Sequence, residues 1–335
     1  MKSTERRGAT LIELIVVFVL IAILVAMLLP AVQRMRDRSR RIECAARLSS
    51  LGLALHNHYA AFGHFPAALP SDNLNPPRGS LRFYAPHVFL LPYLEEHALS
   101  QRIDTTKPKA FRWDARGDAI MSARVEVFLC PSDMGGVGNN YRVSLGPGPY
   151  SVQSPLSPGG GLGAFEAVYE KTDSAFRDGL SHTVGMSERL KGSGGAFSRK
   201  HDFWYSGAFS LLGREPVLDE MVEICNSLRR SPPHYNPHSG ATWFLAGYEN
   251  TWYNHAVSPN SHDISCAVEG FNPELPDHST DGGVFGASSN HKGGVNCLFM
   301  GGAVRFISND IDLSIWRALS TRGGGEVIGQ TSEAF

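Results

Sequence analysis

The feature that most constrains this chain is a nearly unbroken apolar run near its N-terminus. A short basic leader, MKSTERRG, ends at Gly8, and residues 9–32 follow with one acidic side chain, Glu13. As a helix, residues 11–29 would be about 28 Å long, close to the ~30 Å hydrocarbon core of a bilayer. A carboxylate at the centre of that core costs about 2.5–3.5 kcal/mol or more. The run therefore predicts a membrane-spanning helix in which Glu13 has a specific role.

The apolar run is expected to be retained and to continue into a longer helix. No Ala-x-Ala-like cleavage site with polar flanks follows it, as a secretory signal would require. Pro30 removes one backbone hydrogen bond and is expected to bend the helix without ending it. From Ile42 to Phe62, apolar residues recur every three or four positions, and glycine and proline stop signals follow. We predict one helix over residues 9–62, with the membrane span at about 9–32.

The sequence GATLIE at residues 8–13 resembles the N-terminal signal of the type IV prepilin family, which includes the pseudopilins of type II secretion. That signal is a basic leader ending in glycine, then Phe-Thr-Leu-Ile-Glu and an apolar helix; Ala9 stands here where Phe is usual. The resemblance implies that prepilin peptidase removes residues 1–8 by cleaving after Gly8, and that Ala9 is then methylated. A plain signal anchor is the alternative.

The resemblance also implies a role for Glu13 in assembly with other pilin-like subunits. In assembled pilins the matching glutamate neutralises the terminal ammonium of a neighbouring subunit, and such pairing makes a charge tolerable in a low dielectric. The alternative is an interfacial acid whose side chain reaches water near the start of the helix.

The charges that flank the span conflict with the prepilin topology. Lys2, Arg6 and Arg7 precede the span, and five arginines follow it, at positions 34, 36, 38, 40 and 41. A count of these charges would place the C-terminal side in the cytoplasm, whereas the prepilin resemblance places it outside. We follow the resemblance and predict a single-pass protein of the inner (cytoplasmic) membrane whose C-terminal domain is periplasmic or at the cell surface. The arginines then either contact anionic headgroups or form a solvated helix face.

Beyond the helix, residues 63–335 predict an extracytoplasmic α+β domain. Short apolar runs broken by Gly, Pro, Asn and Ser predict strands, with short helices between them. The predicted fold is a pilin-like long N-terminal helix packed on a β-rich, loop-rich globular domain. The net charge of −1 offers no long-range field for nucleic acid. The expected strands are residues 125–130, 183–187, 242–245, 295–299 and 304–308; the expected helices are 91–102, 114–124, 218–228 and 313–319; residues 144–163 are expected to form a mobile loop.

Several phrases downstream resemble a narrower group, the prepilin-type proteins abundant in planctomycetes, which carry a C-terminal His-x9-Asp-Gly motif. The phrases include FLLPYLEEH, FLCPSD, DGLSHTVGMSERL and SNHKGGVNCLFMGGAVRFIS. Here nine residues follow His291, and Gly301-Gly302 then stands in place of Asp-Gly. Both pairs favour a two-residue hairpin turn because both central positions can take positive φ. We predict a structural hairpin over residues 294–308, with His291 as an orienting or hydrogen-bonding residue.

The five cysteines allow two disulfides in an oxidising compartment, and the odd number leaves at least one cysteine outside them. Cys297 lies in the apolar phrase VNCLF and is expected to be a buried free thiol. Of the fifteen ways to form two bonds, we favour Cys44 with Cys130 and Cys225 with Cys266. The absence of Cys-x-x-Cys argues against a zinc ribbon.

The histidines suggest a metal only weakly. His234-x3-His238 has ligand-like spacing but lies in a proline-rich phrase without the glutamate of a zinc protease helix. Calcium suits the oxygen-bearing loops further along, although their spacing matches no EF-hand. Solvated loop residues are the alternative to such a site. The residues in question are His255, His262, Asp263, His278 and Asp281.

Enzyme motifs are sparse, and no cofactor is expected. The sequence has no Gly-x-Ser-x-Gly elbow, no phosphate-binding loop and no convincing dinucleotide fingerprint. The leading hypothesis is a non-enzymatic, assembling subunit; a surface hydrolase is the weakest alternative. The second hypothesis is a monomeric surface-anchored binding protein for glycans. Its sugar-stacking aromatics, which core packing would explain equally, are Trp204, Tyr205, Trp243, Trp252 and Tyr253.

Overall fold

The long N-terminal helix and a β-rich remainder confirm the predicted α+β class. The computed structural model describes residues 11–69, 84–105, 119–133, 135–148, 162–167, 169–206, 217–228, 234–261, 265–267 and 282–326. The chain divides into two units, Met1–Ile42 and Glu43–Phe335. Gly8 and Ala9 lie outside the described residues.

Helix α1, Leu11–Phe62, contains residues 11–32 of the predicted membrane span. Its apolar stretch is long enough to cross a bilayer, and none of the side chains there is buried by the rest of the chain. Pro30 lies inside the helix without ending it, as predicted. Exposed apolar side chains in this number require a non-aqueous environment or partners, because soluble surfaces do not leave such a patch in water.

The C-terminal part of α1 buries one face in the second unit. Cys44, Leu48, Leu51 and Leu55 are buried at the three- and four-residue spacing of a single helix face. Gly52 lies on the same face, where a Cβ atom would come within 2.7 Å of a Leu298 methyl group. A larger residue at this position would require the Leu298 side chain to move.

The second unit contains two mixed sheets and short helices. Helices α2 to α5 are Pro86–Leu90, His97–Ser100, Leu218–Ser227 and Leu313–Ala318. Strands β1 to β9 are Tyr141–Ser144, Val184–Glu188, Phe203–Tyr205, Tyr235–Asn236, Trp252–Tyr253, Cys266–Ala267, Gly283–Val284, Gly294–Phe299 and Val304–Ser308. The larger sheet has the order β5-β1-β2-β8-β9, and the smaller has the order β4-β3-β6-β7. The pairs β1–β5 and β3–β6 are parallel, and the others are antiparallel.

The larger sheet is covered on both faces. Leu298 belongs to the same apolar cluster as the buried face of α1, whereas its neighbours Cys297 and Phe299 pack with Trp316 of α5. Successive side chains of a strand point to opposite faces, so β8 is buried along its whole length. This two-sided burial explains why apolar residues predominate in the strand without alternating with exposed polar ones.

Two predicted strands are wrong. Residues 125–130 contain a 3-10 turn, Glu126–Phe128, because the Arg47 side chain donates to the carbonyls of Glu126 and Leu129, at 2.7 Å each. These carbonyls are therefore taken by a side chain and not by a strand partner. In residues 242–245, the Thr242 hydroxyl accepts a hydrogen bond from the Phe244 amide at 3.1 Å. Such a local bond competes with strand pairing.

The predicted helix at residues 91–102 is also wrong as one element. It divides into a 3-10 turn, Leu91–Tyr93, and helix α3, because Glu95 between them takes a positive φ of 63°. Of the predicted helix at 114–124, residues 119–122 form turns, residues 123–124 have no regular secondary structure, and the rest lies outside the described residues. The predicted loop at 144–163 lies mostly outside them.

The C-terminal hairpin forms with a different turn from the one predicted. Strands β8 and β9 pair as expected, but three residues, Met300 to Gly302, separate Phe299 from Ala303. The Phe299 amide donates to the Ala303 carbonyl, and the Gly302 amide donates to the Phe299 carbonyl, both at 2.8 Å. Only Gly302 takes a positive φ, of 92°. Three-residue hairpin loops need one left-handed residue and not two.

This turn predicts different costs for its two glycines. Gly302→Ala should lower the free energy of unfolding by about 1–2 kcal/mol, because its left-handed backbone penalises a Cβ atom. Gly301→Ala should cost less than about 0.5 kcal/mol, since its Cβ would meet nothing closer than 3.4 Å. Urea unfolding of the full chain in detergent, followed by tryptophan fluorescence, measures both. Equal costs would contradict the observed turn.

Two buried histidines are held in their neutral form. His255 Nδ1 is 2.7 Å from the Trp316 carbonyl, and its Nε2 is 2.9 Å from the Tyr253 hydroxyl. Burial lowers the pKa of His255 to about 3. His87, whose Nε2 is 2.7 Å from the Tyr141 carbonyl, has a pKa lowered by burial to about 4. A carbonyl on one nitrogen and a hydroxyl on the other fit the neutral ring of His255.

These pKa values predict acid sensitivity that begins near pH 6.5. The unfolded chain binds protons at the two sites before the folded chain does, so stability is complete above pH 6.5 and falls below it. By pH 5, each histidine should cost about 2 kcal/mol of unfolding free energy. His255→Gln should remove about 2 kcal/mol of this loss between pH 6.5 and 5 in urea titrations, whereas the exposed His182→Gln should leave it unchanged. A flat profile in the unmodified chain would contradict the neutral assignment.

Candidate functional site

Four buried side chains with metal- or proton-binding chemistry meet beside α1. They are Cys44, Cys130, Glu188 and His291, which we call the His291 cluster. His291 Nε2 lies 3.1 Å from Glu188 Oε1 and 3.7 Å from Cys130 Sγ. Cys44 and Cys130 form a disulfide. The cluster joins α1, the turn before Cys130, the end of β2 and the loop before β8.

Glu188 is a buried carboxylate whose two oxygens are both hydrogen-bonded. Asn296 of β8 donates its backbone amide to Oε2 at 2.8 Å and its side-chain amide to Oε1 at 2.9 Å. His291 provides the remaining contact. A buried polar group is tolerated when it is hydrogen-bonded, and the two Asn296 donors on β8 meet this requirement for Glu188.

His291 is positioned by the turn that leads into β8. The hydroxyl of Ser289 accepts from the His291 amide at 3.1 Å and donates to the Gly294 carbonyl at 2.7 Å. Gly293 takes a positive φ of 90°, which lets the chain turn directly after the histidine. The ring thus has a fixed place against Glu188, and this is the kind of hydrogen-bonding contact that we expected of His291.

Glu188 was not among the site residues predicted from the sequence. The acid lies at the end of the apolar phrase TVGMSE. A signal was present, since an acid that ends a buried strand needs partners. The sequence alone did not identify Asn296 and His291 as those partners.

The cysteines pair as in the arrangement that we favoured. Cys44 bonds to Cys130, Cys225 bonds to Cys266, and Cys297 is a buried free thiol. Burial raises the pKa of Cys297, and its Sγ lies 3.3 Å from the Ser187 hydroxyl. An inert, protonated thiol is the expected state of such a residue.

Further contacts hold α1 near the Cys44–Cys130 disulfide. The Tyr141 hydroxyl donates to the Cys44 carbonyl at 3.1 Å. One turn further along α1, Arg47 binds the carbonyls of Glu126 and Leu129 and pairs with Glu43 at 2.6 Å. Tyr141 is buried, and burial raises its pKa well above the ordinary value. The His291 cluster therefore lies at a well-anchored point of the second unit.

The other residues predicted for assembly or metal binding do not belong to the His291 cluster. Glu13 lies in the first turn of α1 with an exposed side chain. His255, proposed for calcium, is buried between Trp316 and Tyr253 and is not a calcium ligand. The other four residues of that proposal lie outside the described residues. His234 and His238 flank strand β4.

The aromatic residues proposed for glycan stacking are in the core, so this part of the binding hypothesis is wrong. All five are buried, with at most 5% of their surface exposed. They are core residues because their rings pack with other aromatic rings or buried apolar side chains, and buried rings offer no face to a sugar. The five are Trp204, Tyr205, Trp243, Trp252 and Tyr253.

Comparison with known families assigns the greater part of the chain. A family model described as "Protein of unknown function (DUF1559)" matches residues 33–314. The chain belongs to the DUF1559 family. A second model, the prokaryotic N-terminal methylation motif, matches residues 4–29. No curated protein and no solved structure matches the chain.

The two matches divide α1 between them. The methylation motif covers most of the apolar run, including residues 8–13, and supports the prepilin resemblance. The DUF1559 match begins after Pro30 and includes the buried face of α1, the His291 cluster and the C-terminal hairpin. Membership of the narrower planctomycete group stays a prediction.

The geometry predicts that His291 stabilises the fold through Glu188. His291→Ala should lower the free energy of unfolding by about 1–3 kcal/mol, because it removes a partner from a buried carboxylate. The exposed His182→Ala should change it by less than about 0.5 kcal/mol. Urea unfolding of the oxidised full chain in detergent compares the two variants. Equal stabilities for the two would contradict the role given to the His291–Glu188 bond.

Proposed function

We propose that this chain is a pilin-like structural subunit. Prepilin peptidase cleaves after Gly8, Ala9 becomes the methylated amino terminus, and α1 anchors the mature chain in the inner membrane. Mature chains then assemble laterally through α1 in a type II secretion or type IV pilus-like system. The observation that carries the proposal is the methylation motif at residues 4–29, on a helix whose apolar side chains the chain itself does not bury.

The charge pattern of α1 supports lateral assembly. Between Leu11 and Gln33, Glu13 is the one charged side chain. It lies four residues after Ala9, and four residues of an α-helix rise about 6 Å. A neighbouring helix displaced by about one turn brings its ammonium beside this carboxylate. The pair then neutralises two charges that would each be costly in a bilayer.

The disulfides support an extracytoplasmic body. Two cysteine pairs are bonded in the second unit, and such bonds persist in oxidising compartments. This orientation places the arginines at residues 34–41 at the outer face of the inner membrane. It therefore disagrees with the positive-inside rule, by which Lys and Arg flank a span on its cytoplasmic side. The disulfides favour the outer side because they lie within the folded body, whereas the arginines only flank the membrane span.

A structural role also fits the burial of the His291 cluster. Glu188 is 2% exposed and His291 is 8% exposed, and both are engaged in hydrogen bonds. A general acid or base must reach a substrate proton within hydrogen-bond distance. Because Glu188 and His291 are buried, a stabilising role fits them better than a catalytic one.

Assembly through Glu13 is tested by substitution. Glu13→Ala should leave processing intact and reduce crosslinked oligomers in membranes at least tenfold, because the neighbour's ammonium loses its partner. Asp37→Ala, which removes an exposed acid from the same helix beyond the apolar run, is the matched control and should assemble normally. Mature monomer and crosslinked species are measured together by immunoblot. Undiminished oligomers in Glu13→Ala would rule out the assembly role of this residue.

A further inference from the structure

The two disulfides differ in their surroundings. Cys44–Cys130 lies against an imidazole and a carboxylate, and the two Sγ atoms, His291 Nε2 and a Glu188 oxygen all lie within 4.8 Å of one another. Among the described residues, Cys225–Cys266 belongs to no comparable group. Thiolates, imidazoles and carboxylates are the three types of side-chain ligand that bind zinc in proteins.

We propose that reduction of the Cys44–Cys130 bond converts the His291 cluster into a binding site for Zn²⁺. The four ligands are the thiolates of Cys44 and Cys130, Nε2 of His291 and a carboxylate oxygen of Glu188. Thiolate and imidazole ligands together favour zinc over magnesium or calcium. The disulfide and the metal are then alternative links at the same point of the fold.

The distances are close to those of a tetrahedral zinc site. With Zn–S near 2.3 Å and Zn–N near 2.0–2.1 Å, the sulfur–nitrogen separation is about 3.5 Å and the nitrogen–oxygen separation is about 3.4 Å. The observed separations are 3.7 Å between Cys130 Sγ and His291 Nε2, and 3.1 Å between that nitrogen and Glu188 Oε1. The main change is at the sulfurs, which move to about 3.8 Å apart once their bond is broken.

The neighbours that orient the ligands do not depend on the disulfide. Asn296 holds both oxygens of Glu188, Ser289 holds the backbone of His291, and Tyr141 holds the carbonyl of Cys44. Groups of this kind fix ligand geometry, and their loss typically costs 10–100-fold in metal affinity. The supporting shell is therefore already in place when the bond opens.

The chemistry balances with a dithiol as the reductant. The dithiol is oxidised to its own disulfide, and its two electrons and two protons convert Cys44–Cys130 to two thiols. Zn²⁺ then displaces both thiol protons to solvent, and His291 binds through Nε2 as a neutral ring that carries its proton on Nδ1. Two thiolates and one carboxylate leave a net charge of −1 with the ion. Because protons are released, zinc affinity falls as the pH falls.

The burial of the four ligands is that of a structural zinc site. Differences in exposure among them indicate the side from which the ion would enter. Cys44 is fully buried and Glu188 is 2% exposed, whereas Cys130 and His291 are 7% and 8% exposed. The ion would thus approach from the side of Cys130 and His291. Four protein ligands leave no open position for substrate, which is the arrangement of a structural zinc site.

Zinc binding by the reduced full chain in detergent tests the proposal. The chain is reduced with a dithiol, freed of it without oxygen, and dialysed against Zn²⁺. The Cys225→Ser/Cys266→Ser variant should gain one zinc per chain over its oxidised form, and Cys44→Ser/Cys130→Ser should gain none. With Co²⁺ in place of zinc, the first variant should show thiolate-to-cobalt absorption, and the second should not.

The non-cysteine ligands provide the second half of the test. In the Cys225→Ser/Cys266→Ser background, Glu188→Gln and His291→Asn should each weaken zinc binding at least tenfold, while circular dichroism of the oxidised forms shows that both fold. The exposed His182→Asn should bind as the background does. The proposal is overturned if reduction adds no zinc, or if both ligand variants bind as tightly as the background.

Discussion

Burial of one face of α1 against the larger sheet is the interaction on which the second unit depends. Leu48, Leu51 and Leu55 pack on that sheet, and Gly52 allows the helix to approach Leu298 of β8. The helix also receives the Cys44–Cys130 bond and places Arg47 beneath the turn before Cys130. Because β8 carries Asn296 and follows His291, the same packing brings Glu188 and His291 together.

Elements with a long or strong local pattern could be predicted from the sequence. Helix α1 follows from its apolar run and its later stripe, and β8–β9 follows from two apolar strands around glycines. The failures have non-local or side-chain causes. Residues 125–130 are kept from pairing by Arg47, about eighty positions earlier. The two- and three-residue strands of the smaller sheet are too short for any period to show.

The residues of the His291 cluster could be predicted only where a local motif or the cysteine arrangement marked them. His291 was identified through a motif, and the cysteine pairs through an arrangement chosen among fifteen, whereas Glu188 was found only in the structure. Its partner lies 103 residues away, and pairing at that separation leaves no mark on one sequence. The turn has one left-handed residue, Gly302, whereas a two-residue turn at Gly301-Gly302 was expected. The register of β8 and β9 therefore also sets the length of the turn.

The chain belongs to the DUF1559 family, and its N-terminal methylation motif is consistent with a pilin-like protein, so its processing is the central claim. The mass of the amino-terminal peptide of the mature chain, purified from membranes of cells that contain prepilin peptidase, tests this claim most directly. Our account predicts a chain that begins at Ala9 and carries one methyl group on its amino terminus. A chain that begins at Met1, or one cut after the apolar run, would contradict it.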